Sequence, residues 1–119
     1  MKLKKRLDRG VTVVYVEGKM IGGDDSDTFH DYIKDLLADG QRKFVINLRK
    51  VPWADSRGIG MLIGAHTSIE KADGSLVLAS IGERIDSILT LTRLLLIFKA
   101  FDSEEEAIEY LSSDQPSPS

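Results

Sequence analysis

Three sets of side chains in this 119-residue sequence are of types that do chemistry. The first is Asp55-Ser56-Arg57-Gly58-Ile59-Gly60, which places a hydroxyl between a carboxylate and a guanidinium just ahead of an apolar run. Ser56 there can act as a helix N-cap, its hydroxyl accepting a hydrogen bond from a helix-initiating N–H. The same hydroxyl can also carry a phosphate. It would face unpaired helical N–H groups and the positive end of the helix dipole, and would add roughly −1.5 to −2 of charge beside Asp55. One modification would invert a local surface without unfolding it. The second set is Asp24, Asp25, Asp27 and Asp31. These lack the ligand spacing and glycine of a calcium loop, and acidic residues are favourable at any helix start, so no metal is expected. The third set is His30 and His66. Either one beside Ser56 would make a serine-hydrolase pair, but the Gly-x-Ser-x-Gly elbow of such enzymes is missing. An enzyme using Ser56 is the least favoured reading, and no catalytic residue is assigned.

The hydrophobic pattern specifies what must position these groups. Val11 to Val16 is β-branched and aromatic, Asp8-Arg9-Gly10 supplies turn chemistry, and Leu3 and Leu7 fit an edge strand, which together predict an opening hairpin. After Gly22-Gly23, residues Phe29, Tyr32, Ile33, Leu36 and Leu37 recur at helical spacing, with Gly40 beyond the end. Phe44 to Leu48 suits a strand covered on both faces, ended by Val51-Pro52-Trp53. Ile59, Leu62, Ile63 and Ile69 mark a second helix, closed by Asp73-Gly74, and Leu76 to Ala79 a further buried strand. A third helix is expected from about Glu83 through Ile85, Ile88 and Leu89, a last strand at Ile97 and Phe98, and a final helix opened by a capping box at Asp102-Ser103-Glu104-Glu105. Alternating strands and helices imply an α/β domain with a mainly parallel central sheet, an N-terminal hairpin and about four helices. Partner and ligand contacts then gather at the carboxyl ends of the strands, where Val51 to Gly60 must lie. Gly58, Gly60 and Gly64 on the second helix are explained either by close packing against the sheet or by a flat docking face shared with Met61 and Ala65. Trp53 fits an amphipathic anchor beside the loop, with binding as its second role.

Composition narrows the function classes. A hydrophobic content of 42% suffices for one core at this length, so residues 1–111 form the expected domain and 112–119, polar and containing Pro116 and Pro118, a disordered tail. A net charge of −3 leaves no basic field for nucleic acid. No cysteine is present, which removes disulfide, thiol and cysteine-zinc chemistry. The N-terminus lacks an apolar signal core, and the run Leu94 to Phe98 is far shorter than the roughly 20 residues of a membrane span. A soluble, cytoplasmic protein without membrane insertion is expected.

The segment Asp55 to Gly60 resembles the Asp-Ser-Ser/Thr-Gly-Leu/Ile-Gly signature of STAS domains of the anti-sigma-factor antagonist type. The resemblance extends through Glu17-Gly18, Val45 to Leu48, Ala72 to Leu76 and Glu83-Arg84-Ile85 to the closing helix. It implies that Ser56 is the phosphoacceptor, and that Asp55, Ser56, Arg57, Gly58, Gly60, Met61, Asp24 and Asp25 form the partner-binding set. The implied role is partner switching. The unphosphorylated protein would bind an anti-sigma factor that is also a serine kinase, phosphorylation would prevent this, and a phosphatase would restore it. ATP and magnesium would belong to the kinase, so no cofactor is expected on this chain. A constitutive STAS adaptor in a sensory or transport assembly is the alternative. Two positions depart from the family pattern. Arg57 replaces the second hydroxyl residue, where it could pair with a phosphate on Ser56, and Lys19 and Ile21 replace acidic residues for which Asp24 or Asp25 could substitute.

Overall fold

The computed structural model describes residues 1–113, so the tail expected beyond Ser113 lies outside the described residues. Strands β1 (Lys2–Asp8) and β2 (Val11–Glu17) form the antiparallel hairpin. Arg9 (φ 52°) and Gly10 (φ 78°) make its two-residue turn, and positive φ at both positions matches the right-handed twist of the flanking strands. The chain continues through α1 (Asp24–Ala38), β3 (Lys43–Lys50), α2 (Ser56–Lys71), β4 (Ser75–Ala79), α3 (Glu83–Leu91), a short 3₁₀ turn at Leu94–Leu96, β5 (Lys99–Phe101) and α4 (Glu104–Ser112). Spatial order equals chain order, β1-β2-β3-β4-β5, and every pairing after the hairpin is parallel.

Period-two alternation divides the side chains between two layers. Val14, Val16, Phe44, Ile46, Leu48, Leu76 and Leu78 face a large core with Phe29 and Ile33 of α1, Leu62 and Ile69 of α2, and Ile85 and Leu89 of α3. Val11, Val13, Val45, Val77 and Ala79 face the other side, where α4 alone covers them with Ala107, Ile108 and Leu111. β3 is central, and Phe44, Ile46 and Leu48 are fully buried, each contributing about 1.5–3 kcal/mol of hydrophobic stabilisation. Both predicted faces of that strand are therefore covered.

The C-terminal third departs from the expected boundaries. The amides of Ile97 and Phe98 donate to the carbonyl of Leu94, which holds them in the turn after Leu94–Leu96, and the last strand starts two residues later, at Lys99. The capping box is shifted by one. Ser103 is the cap, its hydroxyl accepting from the amide of Glu106, whose carboxylate accepts from that hydroxyl in turn. Ser112, expected in the tail, is the last residue of α4.

Candidate functional site

The loop from β3 to α2 is bound to the loop from β2 to α1. The amide of Gly18 donates to Lys50 (3.0 Å), that of Met20 to Trp53 (2.9 Å) and that of Asp55 to Met20 (3.3 Å), each to the backbone carbonyl. Gly58 explains how close the two approach. A Cβ built on it would lie 1.9 Å from the carbonyl oxygen of Met20, so no side chain fits there. One turn of α2 thus rests directly on the backbone of the β2–α1 loop. At Gly22 (φ 82°) the contact is reversed: a Cβ would lie 2.8 Å from that of Arg57. These two glycines let the loop and the helix start fit together.

The helix begins one residue earlier than a cap at Ser56 requires. Asp55 is the N-cap, in extended conformation (φ −104°, ψ −172°), and its Oδ1 accepts from the amides of Arg57 (2.9 Å) and Gly58 (3.1 Å). Its Oδ2 accepts from Nη2 (2.8 Å) and Nε (3.1 Å) of Arg57. The Arg57 guanidinium, assisted by the backbone amides, holds the Asp55 carboxyl below its ordinary value. A carboxylate has two acceptor oxygens for such a task and a serine hydroxyl has one. Ser56 becomes the first helical residue, exposed, and among the described residues its hydroxyl has no hydrogen-bond partner. The Arg57 side chain is thus committed to Asp55 in this state, which the sequence did not decide.

Two depressions lie beside the start of α2, one lined by Ser56 and the other by Arg57. One, about 430 Å³, is mostly apolar and lies between α2 and α3, lined by Trp53, Ile59, Ile63, Ile88 and Leu94 together with Ser56. Arg84 stacks over the Trp53 ring at 4.3 Å. The other, about 250 Å³, lies between α1 and α2 and is lined by Ser26, Asp27, His30, Arg57, Gly60, Met61 and Gly64. The residues expected to bind a partner are distributed unevenly around these. Asp55, Ser56, Arg57 and Gly60 share the surface, Met61 is only 7% exposed, and Gly58 is buried against Met20. Neither Asp24 nor Asp25 lines either depression. Both sit in the first turn of α1, where Asp25 lies 3.8 Å from the N-terminal ammonium. Asp27 and His30, and neither of these two aspartates, line the depression beside Arg57. Gly60 and Gly64 are not packed against the sheet, since a Cβ on either would meet nothing within 4 Å.

The apolar depression was not foreseen. Its signal was the half-filled pattern of Ile63 and Ile88, each at the margin of a helical stripe beside an isolated tryptophan. Neither histidine contacts Ser56: His30 is exposed, and His66 meets Phe98 edge-on at 5.4 Å. Among the described residues no group of three or more His, Asp or Glu is placed to hold a metal, and no helix is long and apolar enough to cross a membrane.

Comparisons with known proteins agree with this architecture. A Thermotoga neapolitana protein, provisionally named an anti-sigma factor antagonist, is 28% identical over 98 residues, spanning 82% of this chain and 87% of the relative. The crystal structure of TM1081 from Thermotoga maritima superposes with a TM-score of 0.84 at 24% identity, covering 92% of this chain and 93% of that one. The anti-sigma factor antagonist SpoIIAA, of Bacillus, superposes in its unphosphorylated form with a TM-score of 0.71 at 18% identity, over 94% and 99% of the two chains. The family described as STAS domain matches residues 2–107. With the sheet order, the loop-locking glycines and the Asp55–Gly60 segment in place, the chain belongs to the STAS domain family, and its similarities run to the anti-sigma-factor antagonist type.

Proposed function

We propose that this protein is an anti-sigma-factor antagonist that binds an anti-sigma factor with serine-kinase activity when Ser56 is free, and is released when Ser56 is phosphorylated. One observation carries this reading. Ser56 stands at the start of α2 with its hydroxyl exposed and unengaged, while Asp55 performs the capping. Adding a phosphate therefore removes no hydrogen bond that holds the helix. It changes the charge at the margin of the apolar depression that Ser56 lines, a patch that a partner would have to desolvate. The solved structures of SpoIIAA in unphosphorylated and phosphorylated forms support the idea that this fold accommodates both states. A phosphatase would return the protein to its binding form. The chain is then substrate and ligand of the kinase, and ATP and magnesium are the kinase's own.

The test is titration calorimetry of wild type, Ser56→Ala and Ser56→Asp against the cognate kinase, with circular dichroism to check folding. Ser56→Ala should bind as wild type does, and Ser56→Asp more weakly by about 1–3 kcal/mol, the range typical of an unfavourable interfacial charge. Arg57→Ser added to Ser56→Asp should deepen the loss by more than the sum of the single changes, because Arg57 can turn from Asp55 to the new charge. Equal affinity of all variants, with no phosphate found on Ser56 after incubation with kinase and ATP, would leave the constitutive adaptor as the better account.

A further inference from the structure

The sheet has two edges, and they are unlike. The β1 edge is guarded by the exposed Lys2, Lys4 and Lys5, a common protection against strand pairing. The β5 edge has no such guard. Its single lysine, Lys99, is drawn towards α4, with Nζ 3.1 Å from the Tyr110 hydroxyl and 4.7 Å above the ring. The carbonyl of Phe101 accepts from the amide of Ser80, so Phe101 turns its backbone groups to β4. Strand alternation then turns the N–H and C=O of Ala100 outward, away from the sheet.

Beside this edge lies a groove of about 630 Å³, between β5 and the first turn of α3. Two exposed apolar side chains line it, Leu96 (85% exposed) and Ile97 (47%). So do three carboxylates, Glu83, Asp86 and Asp102, all exposed and none in an ion pair among the described residues. It shares no lining residue with the apolar depression at Ser56.

We infer that the open edge of β5 accepts an extended basic segment of a partner protein by strand addition, its backbone pairing with Ala100 and its cationic side chains meeting Glu83, Asp86 and Asp102. Apolar residues alternating with the cations would cover Leu96 and Ile97. A second copy joined edge to edge through its own β5 would set the same three carboxylates against themselves, which disfavours that occupant. The surface is independent of Ser56, so its failure and the failure of the switch reading are separate results.

The experiment uses the full-length ¹⁵N-labelled chain and an end-capped eight-residue peptide alternating lysine with valine, at low salt. Saturable amide shifts are expected at residues 96–102 and around Glu83 and Asp86, which line the groove, with Ser56 and β1 unmoved. The same peptide with glutamate for lysine should give no shift, and one N-methylated along the pairing edge should bind about tenfold more weakly. Glu83→Lys combined with Asp86→Lys should weaken the basic peptide by about tenfold. Ala100→Pro should abolish pairing while leaving the β4 ladder intact, because the lost N–H is the outward one. If that variant does not fold, the charge-reversal pair decides the matter. Shifts elsewhere, equal binding of the acidic peptide, or no shift at millimolar peptide would overturn the proposal. So would self-association in which β1 and β5 amides move together with protein concentration.

Discussion

Asp55 and Ser56 are neighbours with separate tasks, and substitution should separate them. Asp55→Ala removes the acceptor for two helix amides and should cost about 1 kcal/mol in urea denaturation, whereas Ser56→Ala, which breaks no bond, should change stability by less than about 0.5 kcal/mol. A larger loss at Ser56 than at Asp55 would reverse the assignment. The glycines of α2 offer a sharper contrast. Gly58→Ala drives a methyl group into the Met20 carbonyl and should destabilise by about 3 kcal/mol or more, while Gly60→Ala, with open space above it, should stabilise by up to about 1 kcal/mol through helix propensity. If Gly60 is kept bare for docking, the stabilised variant should bind its partner less well. The place of Asp55 to Gly60 after a buried strand and its resemblance to the STAS signature made it stand out as the candidate site, since residue type alone is satisfied by ordinary helix capping. They did not say which residue caps, since both types are good caps and the choice depends on where the backbone turns helical. They also did not distinguish Gly58 from Gly60, whose difference lies in a carbonyl 38 residues earlier in the chain.

Among the elements, α4 covers its face of the sheet with three buried residues, Ala107, Ile108 and Leu111, and adds a polar tie. Glu104 at its start accepts from Nδ2 of Asn47 on β3 (3.0 Å) and from Arg6 on β1, and Arg6 also donates to the hydroxyl of Tyr15 on β2 (3.2 Å). Burial pushes the Glu104 carboxyl up, but the hydrogen bonds from Arg6, Tyr15 and Asn47 together outweigh it and leave it below its ordinary 4.5. The unfolded chain therefore binds this proton more readily. The stability that Glu104 contributes is present above about pH 4.5 and is lost as pH falls through the lower native value. Glu104→Gln should consequently be less stable than wild type near neutral pH, and the gap should narrow towards about pH 3 in urea melts at a series of pH values. A gap independent of pH would mean that the tie is packing and not charge. Elements with both a stripe and a stop signal, such as α1 between Gly23 and Gly40, were legible in the sequence. The stretch Leu91 to Phe98 was not, because consecutive apolar residues carry no period, and the turn at Arg93 depends on a left-handed residue (φ 60°) that its side-chain type does not announce.

At the scale of the molecule, β3 joins the two layers. Ile46 is fully buried between β2 and β4, so Ile46→Asp should lose several kcal/mol, and a urea midpoint near that of wild type would show that the sheet is assembled differently. The α/β class and the position of the central strand followed from the alternation of FVINL and LVLA with helical stripes. The uneven layering did not, because nothing in the short stripe of Ala107, Ile108 and Leu111 says that it must cover a whole face alone. The sequential order of the strands has a bearing on synthesis as well. A nascent chain emerging from the ribosome never has to insert a strand between two that are already paired, because each new one is laid on the edge most recently made. By the time Ala79 has emerged, β3 has both its hydrogen-bonded neighbours, and the domain grows outward from a finished centre. The edge at which this growth stops is β5, the last strand to be laid down.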